Sequence, residues 1–226
     1  MSEPILAPQR PDAPNRSERK ATSHKALLMA ALTLVGEGRS FTSISLREIA
    51  RQAGMVPNAF YRHFASTDEL GLELVEEMGI TLRRLLREAR QVDASKGDIL
   101  RRSVQVYQHY VKANRLVFLF ISSERSGGSR VLRVAIRNDV THFTNEMAQD
   151  FRALGLYKEL PTARLQMVCG LIVMTMLAAA IDILDLPPEQ PVLEHEMTEN
   201  FVRQLQIILL GAQHWRERPA RRVRSD

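Results

Sequence analysis

Apolar residues recur along this chain at one-turn spacing and almost never alternate, so the pattern predicts helices throughout. From about Ser17 to Val35, Ala26, Leu27, Ala30, Ala31 and Leu34 form one helical face, which Gly36 and Gly38 stop. Phe41 and Ile44 follow as plugs that pack this helix on the next. Leu46, Ile49 and Ala50 then mark a short second helix capped by Ser45, with Gly54 placed to end it through a backbone of positive φ. Pro57 suits a first helical position and opens a third helix running to Phe64. In that helix Ala59, Phe60 and Phe64 face back, leaving Asn58, Tyr61, Arg62 and His63 outside. Two short helices around a glycine turn, the second polar, aromatic and basic, describe a helix-turn-helix.

Beyond it, Ser66 and Glu69 have capping-box spacing. The helix they open continues through Leu70, Leu74, Met78, Leu82 and Leu86 to about Arg90, roughly 24 residues and hence about 36 Å. Another helix covers about Gly97 to Asn114, then a very apolar segment at 116–122 ends in a loop at 123–128. A further helix runs from Ser129 to about Leu154, with Arg130, Arg133 and Arg137 on one face. Leu165 to Leu184 is apolar nearly all round, but its unbroken apolar stretch from Met167 to Ile181 is 15 residues, closed by Asp182 and Asp185. A membrane span needs about 20, so the pattern predicts a helix covered by protein on all sides. The last helix, about Val192 to Arg216, aligns Phe201, Leu205, Ile208, Leu209, Ala212 and Trp215. Two such neighbours carry more apolar surface than one chain covers, which predicts a C2 homodimer through a four-helix interface and no membrane partner. The fold class is therefore all-α: a three-helix helix-turn-helix unit at 16–66 and a helical dimerisation domain at 67–216, to which the resemblance described below adds DNA binding for the first and ligand binding for the second. They are flanked by a disordered arm at 1–15, with four of the ten prolines, and a basic tail at 217–226.

Charge sharpens this division. The net +5 is uneven: residues 16–66 hold eight Lys/Arg against three acids, whereas 67–215 hold 17 against 19. A polyanion partner for the N-terminal unit follows, although single charges of this kind also serve as plain solvated surface. The lone Cys169 lies in an apolar run and reads as a small core residue, and no apolar leader opens the chain, so the expected location is the cytoplasm. No P-loop, nucleophile elbow or metal-ligand spacing occurs among the six histidines and one cysteine. Nothing argues for an enzyme, a metal or a bound cofactor.

Ser45-Leu46-Arg47-Glu48-Ile49-Ala50, Ala53-Gly54, Phe60-Tyr61-Arg62-His63-Phe64 and Asp68-Glu69-Leu70 together resemble the TetR family of bacterial repressors. Within it, Asp68-Glu69-Leu70-Gly71-Leu72 and Glu124-Arg125-Ser126-Gly127 are similar to the repressors of unsaturated fatty acid synthesis, the FabR and DesT type. The resemblance implies a palindromic double-stranded DNA partner, with Ser45, Tyr61 and His63 on phosphates and Arg47, Pro57, Asn58 and Ala59 toward base edges. Two departures touch that transfer: Val56 stands where the family often has a Ser or Thr cap, and Thr67 where it often has Lys. The resemblance also implies a long-chain acyl-CoA or acyl carrier protein effector. Candidate lining for its chain is Val117, Phe118, Phe120, Ile121, Phe143, Met147, Met174 and Leu177, although each reads more readily as plain core. Arg130, Arg133 and Arg137 could meet a coenzyme A headgroup or form a solvated face, and Glu124 and Arg125 are placed to relay occupancy. The alternatives are a multidrug-type TetR repressor with another hydrophobic ligand, and a helical lipid-binding protein without a DNA role.

Overall fold

The computed structural model describes residues 15–91 and 99–214, and every regular element within them is helical. In chain order these are α1 (Arg16–Gly36), a single 3₁₀ turn (Phe41–Ser43), α2 (Leu46–Gln52), α3 (Pro57–Phe60) and α4 (Thr67–Gln91). There follow α5 (Ile99–Ala113), α6 (Arg115–Glu124), α7 (Arg130–Ala153), α8 (Thr162–Asp185) and α9 (Pro191–His214). The arm up to residue 14, the basic tail, Trp215 and the expected helix start at Gly97 lie outside the described residues. Asn15, assigned to the arm by its sequence, is instead the N-cap of α1. Its side chain accepts from Glu18 N at 2.9 Å, and the Glu18 carboxylate accepts from Asn15 N at 2.8 Å.

The same reciprocal cap starts α2, and α4 opens on a variant of it in which the glutamate reaches one residue further back. Ser45 Oγ accepts from Glu48 N at 3.3 Å while Glu48 Oε2 accepts from Ser45 N at 2.9 Å. Ser66 Oγ accepts from Glu69 N at 3.1 Å while the Glu69 carboxylate reaches back to Ala65 N. α3 is shorter than its sequence predicts. Val56 offers no side-chain cap, and after Phe60 the chain tightens, with His63 N donating to Phe60 O at 2.9 Å.

Three layers hold the short helices in place. The 3₁₀ turn carries Phe41 edge-on against Phe120 of α6, centroids 5.0 Å apart, and both rings are fully buried. His24 of α1 stacks on Phe64 at 4.6 Å and meets Glu73 Oε1 of α4 at 2.5 Å, clamping the end of the α3 turn between the two helices. Ser129 both caps α7, accepting from Leu132 N at 3.3 Å, and donates to Asp68 Oδ1 in the first turn of α4 at 3.0 Å. α4, 25 residues and hence about 37 Å long, runs from the helix-turn-helix across the effector half of the molecule. Along it Arg83, Arg87 and Arg90 face Asp139, Glu146 and Asp150 of α7 in a continuous ladder, including Arg87 Nη2 to Glu146 Oε2 at 3.1 Å and Arg87 Nε to Asp150 Oδ1 at 3.3 Å. Gly79 makes room for the ladder: a Cβ there would lie 2.4 Å from Asp139 Oδ1.

α8 is the single helix among the described residues long and apolar enough to cross a membrane, and only 44% of its most apolar window is buried. Its exposed residues Met167, Leu171 and Met174 form one stripe, matched on α9 by Ile207 and Leu210. The α9 face expected at the subunit interface behaves otherwise. Phe201, Leu205 and Ala212 are buried in the chain's own core, with Ile208 and Leu209 packed against it. Periodicity located the core face of α9, and a second apolar stripe, Ile207 and Leu210, is what remains uncovered.

Candidate nucleic-acid interface and ligand cavity

The turn between α2 and α3 is closed by Gly54 at φ 69°, with Met55 N donating to Ala50 O at 2.8 Å and Gly54 N to Arg51 O at 3.0 Å. This sets α3 across α2 and opens a shallow cleft lined by Leu46, Arg47, Val56, Pro57, Asn58 and Tyr61. Arg47, Pro57, Asn58 and Tyr61 from the predicted set are thus brought together and exposed. Tyr61 is 59% exposed and stands edge-on to the buried Phe60 ring at 6.0 Å, which holds its phenol outward. Val56 is 70% exposed on the same rim, an apolar surface that sequence reasoning took only for a missing cap.

Three predicted residues sit differently. Ser45 is exposed, but its hydroxyl already donates to Glu48 Oε2 at 2.8 Å in the cap. Ala59 is half-buried. His63, expected outside, is half-buried too, because the tight turn after Phe60 tucks it beside His24, ring centroids 5.6 Å apart. Its Nδ1 is buried without a partner. Burial first, then the charges of His24, Lys20 and Arg62, push its pKa below the ordinary imidazole value. Arg39 is held by Glu48 Oε1 at 2.8 Å, which removes it from the freely offered charges of the unit. Arg39 and then Ser45 hold the Glu48 carboxyl at about 2.

The second feature is an interior cavity of about 320 Å³ between α4, α5, α6, α7, α8 and α9. Phe118, Ile121, Phe143, Met147 and Leu177 of the predicted set line it. Phe120 does not, because it points into the Phe41 contact. Met174 does not, because it lies on the exposed stripe of α8 and is 43% exposed. Val117 packs half-buried against the core outside the lining. Arg130, Arg133 and Arg137 also fall away from it. Arg130 and Arg137 are exposed, and Arg133 donates to Gly127 O and, at 2.9 Å, to Gly128 O, bracing the loop before α7. Sequence reasoning missed the α4 contribution, Val75, Met78, Leu82, Leu86 and Arg90, whose 3.6-residue spacing marked a core face without showing that the core is hollow there.

The α4 lining positions run from Val75 to Arg90, 16 residues or about 22 Å of helix axis. Polar groups in the lining are few: Arg90, Ser103, Tyr107, Asp139 and Tyr157. Tyr107 donates its hydroxyl to Met176 O at 2.8 Å, and Asp139 faces Arg83. Burial nonetheless raises Asp139 above the ordinary carboxylate range, with Arg83 opposing. Cys169 is fully buried nearby, its thiol pushed by burial up to about 12, as a core residue would be.

An exposed helix-turn-helix followed by an all-α domain with a largely apolar cavity is the architecture of a ligand-responsive DNA-binding regulator. Residues 27–74 match the model for bacterial regulatory proteins of the tetR family, and 96–208 match a tetracyclin repressor-like C-terminal domain. The chain belongs to the TetR family, whose members are transcriptional regulators rather than enzymes and act on DNA operators as homodimers answering to small-molecule effectors. Membership removes the alternative of a lipid-binding protein without a DNA role.

Solved structures agree on the fold. The fatty acid degradation regulator FadR from Bacillus halodurans superposes with a TM-score of 0.59 at 16% identity, over 85% of this chain and 97% of that one. A TetR-family regulator from Syntrophomonas wolfei gives 0.67 at 14% identity, over 84% and 96%. SmeT, repressor of a multidrug efflux pump of Stenotrophomonas maltophilia, gives 0.54 at 16% identity, over 83% and 89%. A fatty acid regulator and a multidrug regulator share this fold, so the fold does not select the ligand.

Proposed function

We propose that this protein is a cytoplasmic, homodimeric repressor of fatty acid genes, of the unsaturated-fatty-acid-synthesis kind, whose operator affinity is set by a long-chain fatty-acyl ligand. The observation that carries this reading is the apolar cavity beside α4, the helix that begins at the helix-turn-helix. A cavity of about 320 Å³ with aliphatic residues from six helices and few polar groups in its lining suits an aliphatic chain, which sets the multidrug reading second. The relatedness of the fold to FadR is consistent with it. The FabR and DesT resemblance adds acyl-CoA or acyl carrier protein as the form in which the chain arrives.

On DNA, α3 of each subunit lies in successive major grooves of a palindrome. Arg47 reads a base edge, Pro57 and Asn58 approach neighbouring bases, and Tyr61 holds a phosphate. Ligand in the cavity favours one of two spacings between the recognition helices by binding the two states unequally. Fluorescence anisotropy on an operator enriched in vitro, with and without palmitoleoyl-CoA and palmitoleic acid, tests this. The expected result is a change in Kd of about 5- to 150-fold. An operator affinity unchanged by either ligand would remove the fatty-acyl half of the reading.

A further inference from the structure

Among the residues lining the cavity is a charged group whose bonding is incomplete. Arg90, in the last turn of α4, lines the cavity and is only 3% exposed. Its Nη2 donates to Asp150 Oδ2, while its Nε is buried and has no hydrogen-bond partner. A buried guanidinium N–H left open is costly, and native proteins nearly always satisfy such a donor. Asp150 does not depend on Arg90 alone, since Arg87 Nε lies 3.3 Å from its Oδ1. Arg90 can therefore share its planar fork between Asp150 and a second anion. Around it the lining is apolar: Leu86, Phe151 and Leu156, with the Tyr157 ring 5.8 Å from Phe151.

The geometry points to Arg90 as the headgroup anchor of the cavity: it receives the carboxylate of a free long-chain fatty acid whose tail extends along α4 toward Val75. The inference rests on the fatty-acyl reading above and narrows its chemistry. A chain that enters with its acid end at Arg90 satisfies the open N–H, leaves its methylenes against Leu86, Leu82, Met78 and Val75, and ends close to α6. Coenzyme A does not fit at that end beside an acyl chain, because the cavity holds about 320 Å³ and Arg90 is only 3% exposed. A thioester would have to enter tail first, leaving the Arg90 donor unsatisfied.

Isothermal titration of the full-length protein with palmitoleic acid, its methyl ester and palmitoleoyl-CoA decides the matter without any substitution. The acid should bind at least about tenfold more tightly than the ester, the advantage expected of a charge-assisted hydrogen bond. In Arg90→Gln and Arg90→Lys that ratio should fall to about threefold or less while the ester affinity stays within a factor of about three. Circular dichroism establishes that each variant is folded, and if neither folds the acid-to-ester ratio of the native protein stands as the test. Equal binding of acid and ester, or a ratio that survives Arg90→Gln, overturns the anchor and leaves the fatty-acyl reading intact. So does binding of the thioester alone. No binding of any of the three removes the fatty-acyl reading and the anchor with it.

Discussion

Arg47 and Tyr61 share one cleft but differ in what they can recognise. A guanidinium can engage a guanine edge bidentately, whereas a phenol hydroxyl at the rim meets the uniform phosphate backbone. Arg47→Ala should therefore cost about 1–3 kcal/mol on the preferred operator and flatten base preference at one position. Tyr61→Phe should weaken all sequences alike. Binding to a randomised operator library separates the two, and an intact preference after Arg47→Ala would assign the base reader elsewhere. His63 and Glu48 titrate in ways the sequence did not announce. The lowered His63 pKa means that its contribution to stability is present above about 6.5 and lost as pH falls through the lower folded value. An NMR titration should place its midpoint below 6.5. Glu48, held at about 2, contributes to the α2 cap above about 4.5 and loses that contribution as pH falls toward about 2. Glu48→Gln should remove this acid dependence from the hydrogen exchange of the α2 amides. The residue types of the cap were legible from spacing alone, but the Arg39 partner that sets the Glu48 pKa comes from nine residues upstream and depends on how the chain folds back.

Elements here are joined by caps that do two jobs. Ser129 starts α7 and also bonds Asp68 at the start of α4, so one hydroxyl couples the effector domain to the helix leaving the helix-turn-helix. Ser129→Ala should lower stability to urea by about 1–2 kcal/mol and reduce the ligand-induced change in operator affinity. A variant that lost stability with undiminished ligand response would show that the coupling runs elsewhere. Beside it, Glu124 at the end of α6 is fully buried with neither oxygen in a hydrogen bond. Burial raises its carboxyl pKa against the nearby backbone N–H groups of Phe41 and Ser129. The sequence pointed to Glu124 as a relay, and the fold puts it where α6, the 3₁₀ turn and α7 converge. Gly54→Ala should cost about 1–2 kcal/mol in thermal unfolding, since open space surrounds the site and only the left-handed backbone resists a side chain. Helix existence was legible because the longer elements have a strong period and α1, α2, α4 and α7 open on capping side chains. The length of α3 was not, because a turn without a capping side chain takes its shape from what packs on it.

At the scale of the molecule, the exposed stripe of Met167, Leu171 and Met174 beside Ile207 and Leu210 is the surface a second copy would cover. Leu171→Glu combined with Ile207→Glu should convert a dimer to monomer in sedimentation velocity. Operator affinity should fall by about a hundredfold or more as the half-sites lose their linkage. A double variant that stays dimeric would locate the interface elsewhere.

The all-α class, the helix-turn-helix with its outward Asn58, Tyr61 and Arg62, and the surplus of apolar surface on the last two helices were legible without the fold. Those follow from local period, capping chemistry and composition, which each segment carries within itself. Only the tertiary structure decided which apolar positions line a cavity and which fill a solid core. A lining leucine and a packed leucine have the same period, and the difference lies in what the neighbouring helices leave unfilled. Tertiary packing likewise turned Arg130, Arg133 and Arg137 away from the cavity and set Arg90, read from the sequence only as the end of a helix, in its lining. Burial and pairing are properties of the assembled helices rather than of the residue.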